Sequence, residues 1–215
     1  MKQIPATGSF ESETPSRRQR KKAETRERIG RAAMALISRR GLAGTSIEEI
    51  TEAADVGKGT FFNYFPTKEH VFLVLVEIQR GKLRQALAEA ERGRRRIRQI
   101  LHELLLALAE EPGSSHDLAA ALVSAVLGSD TVRKLAAAGM AEGRRLLATI
   151  LLLGQERGEV SADRDPVIMS LALQEALFGA LVMWAIDPRE KLQARLEAGF
   201  EAYWRGIARP KGRSK

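Results

Sequence analysis

From Thr25 to about residue 208, apolar residues recur at every third or fourth position, and no stretch alternates strictly enough to read as a strand. Each helix patterned this way must bury an apolar stripe against another helix, so the expected fold class is all-α. The helix ends are legible as well. A first helix is expected over residues 25–39, with Ile29, Ala32, Ala33, Leu36 and Ile37 on one face and Gly41 closing it after Arg39 and Arg40. Thr45 or Ser46 caps a short second helix carrying Glu48 and Glu49 in its first turn, and Thr45–Glu48 has capping-box spacing. A break at Asp55-Val56-Gly57 leads to a third helix over residues 58–64, Pro66 stops it, and Thr67 caps a fourth that reaches about Ala90. Further helices are expected over residues 94–111, 115–127, 130–157, 166–186 and 188–208, the last opened by Pro188.

The 215 residues are 44% hydrophobic and 29% charged, the balance of a globular chain long enough for a sizeable core. There is no cysteine, so disulfides and thiolate metal sites are excluded. His102 and His116 stand alone without ligand spacing, so no metal or cofactor is expected. Residues 1–24 lack the apolar core of a signal peptide, and the run Ala176–Ile186 is too short to span a bilayer, which points to a cytoplasmic protein with no membrane partner. Residues 1–68 hold 13 Lys/Arg against 8 Asp/Glu, residues 205–215 hold 5 against none, and the stretch between is near neutral. Basic ends of this kind fit a polyanion partner or simple solvated tails. The expected organisation is a flexible basic tail (1–24), a small helical domain (25–72), a larger helical domain (73–208) and a basic C-terminal tail (209–215).

Two short helices joined by a tight turn and flanked by longer ones have helix-turn-helix spacing, in which the second helix enters the major groove of duplex DNA while the first braces it. The stretches Thr25–Gly41, Thr45–Ile50 and Val56–Glu69 closely resemble the DNA-binding domain of the tetracycline-repressor (TetR) family. The most distinctive match is Lys58-Gly59-Thr60 followed by Tyr64-Phe65-Pro66-Thr67-Lys68-Glu69. The resemblance implies that Thr45 and Ser46 approach phosphates at the start of the second helix. It implies that Lys58, Gly59 and Thr60 open the recognition helix, that Phe62, Asn63 and Tyr64 face the groove, and that Lys68 meets a phosphate. The chemistry of these residues suits those roles. Lysines neutralise phosphates, Asn can pair with adenine, and an aromatic edge can press on a thymine methyl.

Some of these residues have a purely structural alternative. Phe61 and Phe65, four apart, are expected in the core, and Thr45 can serve as a cap. The sequence also departs from the family pattern. Gly57 stands where Ser or Thr commonly caps the recognition helix, Asp55 replaces the usual turn glycine, Phe62 lacks a phenolic hydroxyl, and Gly30 sits inside the first helix at a cost of about 1 kcal/mol relative to Ala. The run Arg17–Lys22 reads either as an arm along DNA or as a solvated tail, and Arg92–Arg98 as solvated surface.

The block 166–186 is apolar nearly all round, whereas the last helix carries one stripe, Leu192, Leu196, Phe200, Tyr203 and Ile207. The resemblance implies that these two helices pair with their mates in a homodimer, with Phe178, Leu181, Leu192, Leu196, Phe200 and Tyr203 as candidate interface residues. It also implies a small-molecule inducer pocket, for which Leu101, Leu105, Met140, Leu147, Gln174 and Phe178 are candidates, Gln174 and Glu175 being the polar residues of an apolar helix. The expected function is that of a repressor bound as a dimer to a palindromic operator and released by a ligand. An enzyme would need catalytic residues, and none are expected: the chain has no HExxH and no phosphate loop, since Gly57-Lys58-Gly59-Thr60 lacks the upstream glycine and strand. A protein adaptor that never meets DNA would leave the block 58–69 unexplained.

Overall fold

The helical period is realised as nine α-helices among the described residues, 16–209, of the computed structural model. They are α1 (Arg17–Arg40), α2 (Ile47–Ala53), α3 (Lys58–Phe62), α4 (Phe72–Arg92), α5 (Ile97–Glu110), α6 (His116–Gly128), α7 (Asp130–Glu156), α8 (Pro166–Ile186) and α9 (Leu192–Ile207). A 3-10 turn, Lys68–Val71, leads into α4. The only extended pairing among those residues is one antiparallel bridge, Val160 with Ala208, which ties the end of α9 to the α7–α8 loop.

Several ends differ from expectation for local reasons. Arg17–Lys22 is helical rather than a flexible tail, because Ser16 and Gln19 form a capping box that starts α1 eight residues early. The rest of the two expected tails, residues 1–15 and 210–215, lies outside the described residues. The box on α2 is formed by Ser46 and Glu49, one residue later than the expected Thr45–Glu48 pair. Thr67 does not cap the next helix, since its hydroxyl is taken by Glu69 and His70. The last helix starts at Leu192, not Pro188, because the Asp187 carboxylate gathers the backbone N–H and guanidinium of Arg189 into a local turn.

Two apolar clusters hold the fold. The first joins Ile29, Ala33 and Ile37 of α1, Ile50 of α2, Phe61 of α3 and Phe65, and it recruits Leu122, Ala125 and Val132 from α6 and α7. The second is built from α4, α5, α7, α8 and α9, with Leu101, Ile150, Leu151 and Phe200 among its buried members. Helix α4 belongs to both, contributing Phe72 and Val74 to one and Leu83, Ala86 and Ala90 to the other. Its crossing of α1 explains Gly30: a Cβ there would lie 2.7 Å from Val74 Cγ2, so the glycine permits the approach rather than merely weakening the helix. Asp55 adopts the positive φ of 50° that the turn requires.

Helix α8 overturns one length argument. The whole 21-residue helix has a mean hydropathy of 1.7 and is long and apolar enough to cross a membrane by composition, although the run 176–186 alone is not. In the fold α8 packs against α6, α7 and α9.

Candidate nucleic-acid interface

Helix α3 is short and divides its side chains sharply. Phe61 and Phe65 are fully buried, and burying such rings contributes about 1.5–3 kcal/mol each, which fixes the helix on the first core. The sequence expectation that these two rings are structural is met. Turned the other way are Lys58, Gly59, Phe62 and Asn63, all exposed. Phe62 is 52% exposed, the one large apolar side chain the first core leaves open, with its ring edge-on to Phe61 at 5.5 Å. Asn63 caps α3 through its backbone, and its side chain makes no hydrogen bond among the described residues. Nothing lies within 4 Å of a Cβ built at Gly59, so the helix is open to close approach there. Gly57 supplies no side-chain cap, as its sequence dictates.

Lys58 is held on this face by Glu48 of α2, at 2.5 Å, and that contact draws the Glu48 carboxyl below the usual carboxylate range. Glu49 is likewise drawn down, mainly by the Ser46 N–H and hydroxyl and further by Arg40. Thr60 is half-buried.

Four expected contacts meet a different geometry. Thr45 is buried, and its hydroxyl donates to the Gly41 carbonyl at 2.8 Å, so it braces the α1–α2 loop instead of facing outward. Ser46 exchanges both hydrogen bonds of its hydroxyl with Glu49. Lys68 reaches back across the domain and donates to the carbonyls of Leu42 and Thr45, both at 2.8 Å. Those bonds make it a clamp on the loop, with at most one N–H left for a phosphate. Tyr64 is half-buried against the first core rather than wholly presented to a groove. No local pattern announces the Lys68 clamp, because its partners lie 23 and 26 residues away.

The larger bundle forms a partly open cavity of about 230 Å³ between α4, α5, α6, α7 and α8. Of the candidate pocket residues, Leu105, Met140, Leu147, Gln174 and Phe178 line it, whereas Leu101 is buried in the second core and does not reach it. The few polar wall residues are Gln79, Arg80, Glu142 and Gln174. Gln174 is tied to α7, donating to the Met140 carbonyl at 3.0 Å and accepting from Arg144. Arg80 pairs with Glu142 at 2.7 Å, and sequence reasoning missed both, since neither breaks its helix's pattern.

The expected dimer residues are also redistributed. Leu192, Leu196 and Phe200 are buried in the chain's own second core. Tyr203 donates its hydroxyl to the Met169 carbonyl at 2.9 Å, and burial pushes its phenol upward. Phe178 and Leu181 line the cavity. The apolar stripe of α9 is what its own protomer covers, so it cannot also face a mate. The face left open on α8 is Val167, Ile168, Met183 and Ile186, with Ala172, Ala176 and Gly179 exposed along the same helix and one carboxylate, Glu175, among them. On α9 the residues Ala194, Ala198, Ala202 and Gly206 are also exposed, at four-residue spacing.

Residues 29–75 match the family described as bacterial regulatory proteins, tetR family. A crystal structure described as Thermus thermophilus FadR, a TetR-family transcriptional repressor, in complex with lauroyl-CoA is 31% identical, covers 88% of this chain and 98% of its own, and superposes with a TM-score of 0.65. The regulator TcmR of Streptomyces glaucescens is 42% identical over 59 residues, 27% of this chain, so the match spans about a quarter (26%) of that relative's length. The regulator AcuR of Cereibacter sphaeroides is 26% identical over 171 residues, covering 77% of this chain and 75% of AcuR.

Proposed function

The chain belongs to the TetR family of DNA-binding transcriptional regulators, and we propose that it is a cytoplasmic repressor that binds a palindromic operator as a homodimer and releases it when a small apolar or amphipathic ligand fills the cavity. The family is not enzymatic. The observation that carries the operator reading is α3. A helix whose rings Phe61 and Phe65 are locked inside presents Phe62, Asn63 and Lys58 to solvent, a pairing of apolar edge, amide and cation that suits a thymine methyl, an adenine edge and a phosphate. The division of the chain at residues 72 and 73 fits this reading, with α4 passing from the reading head into the ligand-binding bundle.

The homodimer reading draws on the open apolar face of α8 and the alanine row of α9. Two such helix pairs related by a two-fold axis form a four-helix interface, and small residues let the backbones come close. For the ligand, the lauroyl-CoA of the FadR structure suggests a fatty-acyl chain, a shape that suits a cavity walled by Leu104, Leu105, Leu146, Leu147 and Leu177. At about 230 Å³ the cavity is smaller than the roughly 300–1,000 Å³ of drug-sized sites, which favours a short or medium chain.

Helix α4 supplies the coupling. Its residues Val76, Gln79, Arg80 and Leu83 wall the cavity, while Val74 packs on Gly30 and Glu77 pairs with Arg26 of α1. A ligand that pushes α4 outward shifts the reading head with it. It weakens operator binding to the extent that it favours the shifted form.

The operator reading is tested by selecting bound fragments from random duplex DNA. The wild-type chain is expected to enrich an inverted repeat, and Asn63→Ala to relax one base pair in each half while keeping the repeat. An unenriched pool contradicts operator recognition, and an unchanged Asn63→Ala motif contradicts that residue's base contact.

A further inference from the structure

Helix α1 begins well before the domain it serves. Residues 16–24 are exposed on every side, and the first buried residue of α1 is Ile29. The eight helical residues among them, 17–24, amount to about 12 Å of rod standing clear of the core. Five of them are cations, Arg17, Arg18, Arg20, Lys21 and Lys22, and none has an ion-pair partner among the described residues. Further along α1 three of the five arginines are paired, and only Arg28 and Arg39 are not among the described residues. Arg26 pairs with Glu77 and lies 5.3 Å from the Phe65 ring, Arg31 pairs with Glu27, and Arg40 pairs with Glu49.

The charge is also placed against the helix's own field. No acid stands in the first turn, and cations there oppose the positive end of the helix dipole. A helical segment polar on all faces gains nothing from a core, so what holds it must come from its capping box and from outside. An external polyanion reverses the sign of the electrostatics. The location narrows the choice of polyanion: Arg26, where the rod leaves the domain, lies 5.3 Å from the ring of Phe65, which belongs to the same core as α3. The free rod therefore extends from the same small domain that carries α3.

We propose that residues 17–22 of α1 are a phosphate-tracking arm, which lies along the DNA backbone flanking the groove occupied by α3 and extends the footprint without reading sequence. The proposal rests on the reading of α3 as the operator-binding element. The cations, acting as point charges, are the site; the amides of the helix start are not.

The test compares the wild-type chain with a five-fold variant, R17A/R18A/R20A/K21A/K22A, and with a charge-preserving one, R17K/R18K/R20K. Alanine favours helix, and the replaced side chains touch nothing in the core, so the melting temperature is expected to hold. Binding is titrated against salt on a selected duplex and on a scrambled one. Each lost phosphate contact removes about 0.9 from the slope of log K against log salt, so the alanine variant should be shallower by about 2–4 per half-site. It should also bind both duplexes at least about tenfold more weakly at 50 mM salt. The lysine variant should keep the wild-type slope. An unchanged slope in the alanine variant overturns the arm alone, and so does a loss confined to the selected duplex or a lysine variant that behaves like the alanine one. A wild-type chain that binds no duplex overturns the operator reading and the arm with it.

Discussion

The reading head and the helical bundle behind it bury their cores equally well but treat their surfaces in opposite ways. In the head, Ile29, Ile37, Ile50, Phe61, Phe65 and Val71 are wholly enclosed, and the one large apolar side chain left out is Phe62. In the bundle, α8 leaves Val167, Ile168, Met183 and Ile186 uncovered, and the interior keeps an apolar cavity. A surface that meets a polyanion needs cations, amides and at most a single apolar edge. A surface that meets another copy of itself, and an interior that admits an apolar guest, need apolar area left unfilled. The contrast supports the proposal that one half meets DNA and the other serves assembly and ligand.

The contrast can be broken first at the residues that differ most. Phe61→Ala should cost about 3–5 kcal/mol in urea unfolding, because a fully enclosed ring is removed from the small core. Ile186→Ala, at a side chain 72% exposed in the single chain, should change stability by no more than about 0.5 kcal/mol when measured in a variant made monomeric by Ile168→Glu and Met183→Glu. Similar losses at both sites would mean that α8 is covered within its own chain.

The assembly half is sharpened by placing charge on the open face. Ile168→Glu combined with Met183→Glu should turn a dimer into a monomer by light scattering, with little change in helix content. Operator affinity should then fall by about 10²–10⁴, the gain expected from linking two half-site contacts. A variant that stays dimeric would move the interface elsewhere.

The smallest effect is expected at the start of α3. Gly57→Ser restores the missing side-chain cap and should raise stability by a few tenths of a kcal/mol in the same unfolding assay. A loss would contradict the geometry, since nothing lies within 4 Å of a Cβ built at Gly57.

How much of this was legible in the sequence follows the same division. Helix α8 was readable to the residue, because Asp165-Pro166 opens it and Asp187-Pro188 closes it. The split between Phe61 and Phe65 inside and Phe62 and Asn63 outside was readable too, since helical spacing alone separates the two faces. Periodicity marks which residues are buried but not what buries them, so Leu192, Leu196 and Phe200 read as an interface although they pack inside their own protomer. The roles of Thr45 and Lys68 were hidden for another reason. Both depend on backbone carbonyls brought near by folding, and nothing in the neighbouring residues records such a bond. The helical state of Arg17–Lys22 was masked by composition, since a polar, basic stretch reads as tail until its Ser16–Gln19 cap is noticed.

The measurement that bears most directly on α3 as the sequence-reading element is an anisotropy titration of Phe62→Ala against the selected duplex and a scrambled one, with a thermal melt alongside. Removing the exposed ring should leave binding to the scrambled duplex and the melting temperature nearly unchanged while discrimination between the two duplexes falls roughly tenfold, about the 1–3 kcal/mol carried by one base-pair contact. Discrimination that survives the loss of Phe62, or a melt that collapses with it, would contradict the assignment and return this side chain to the core.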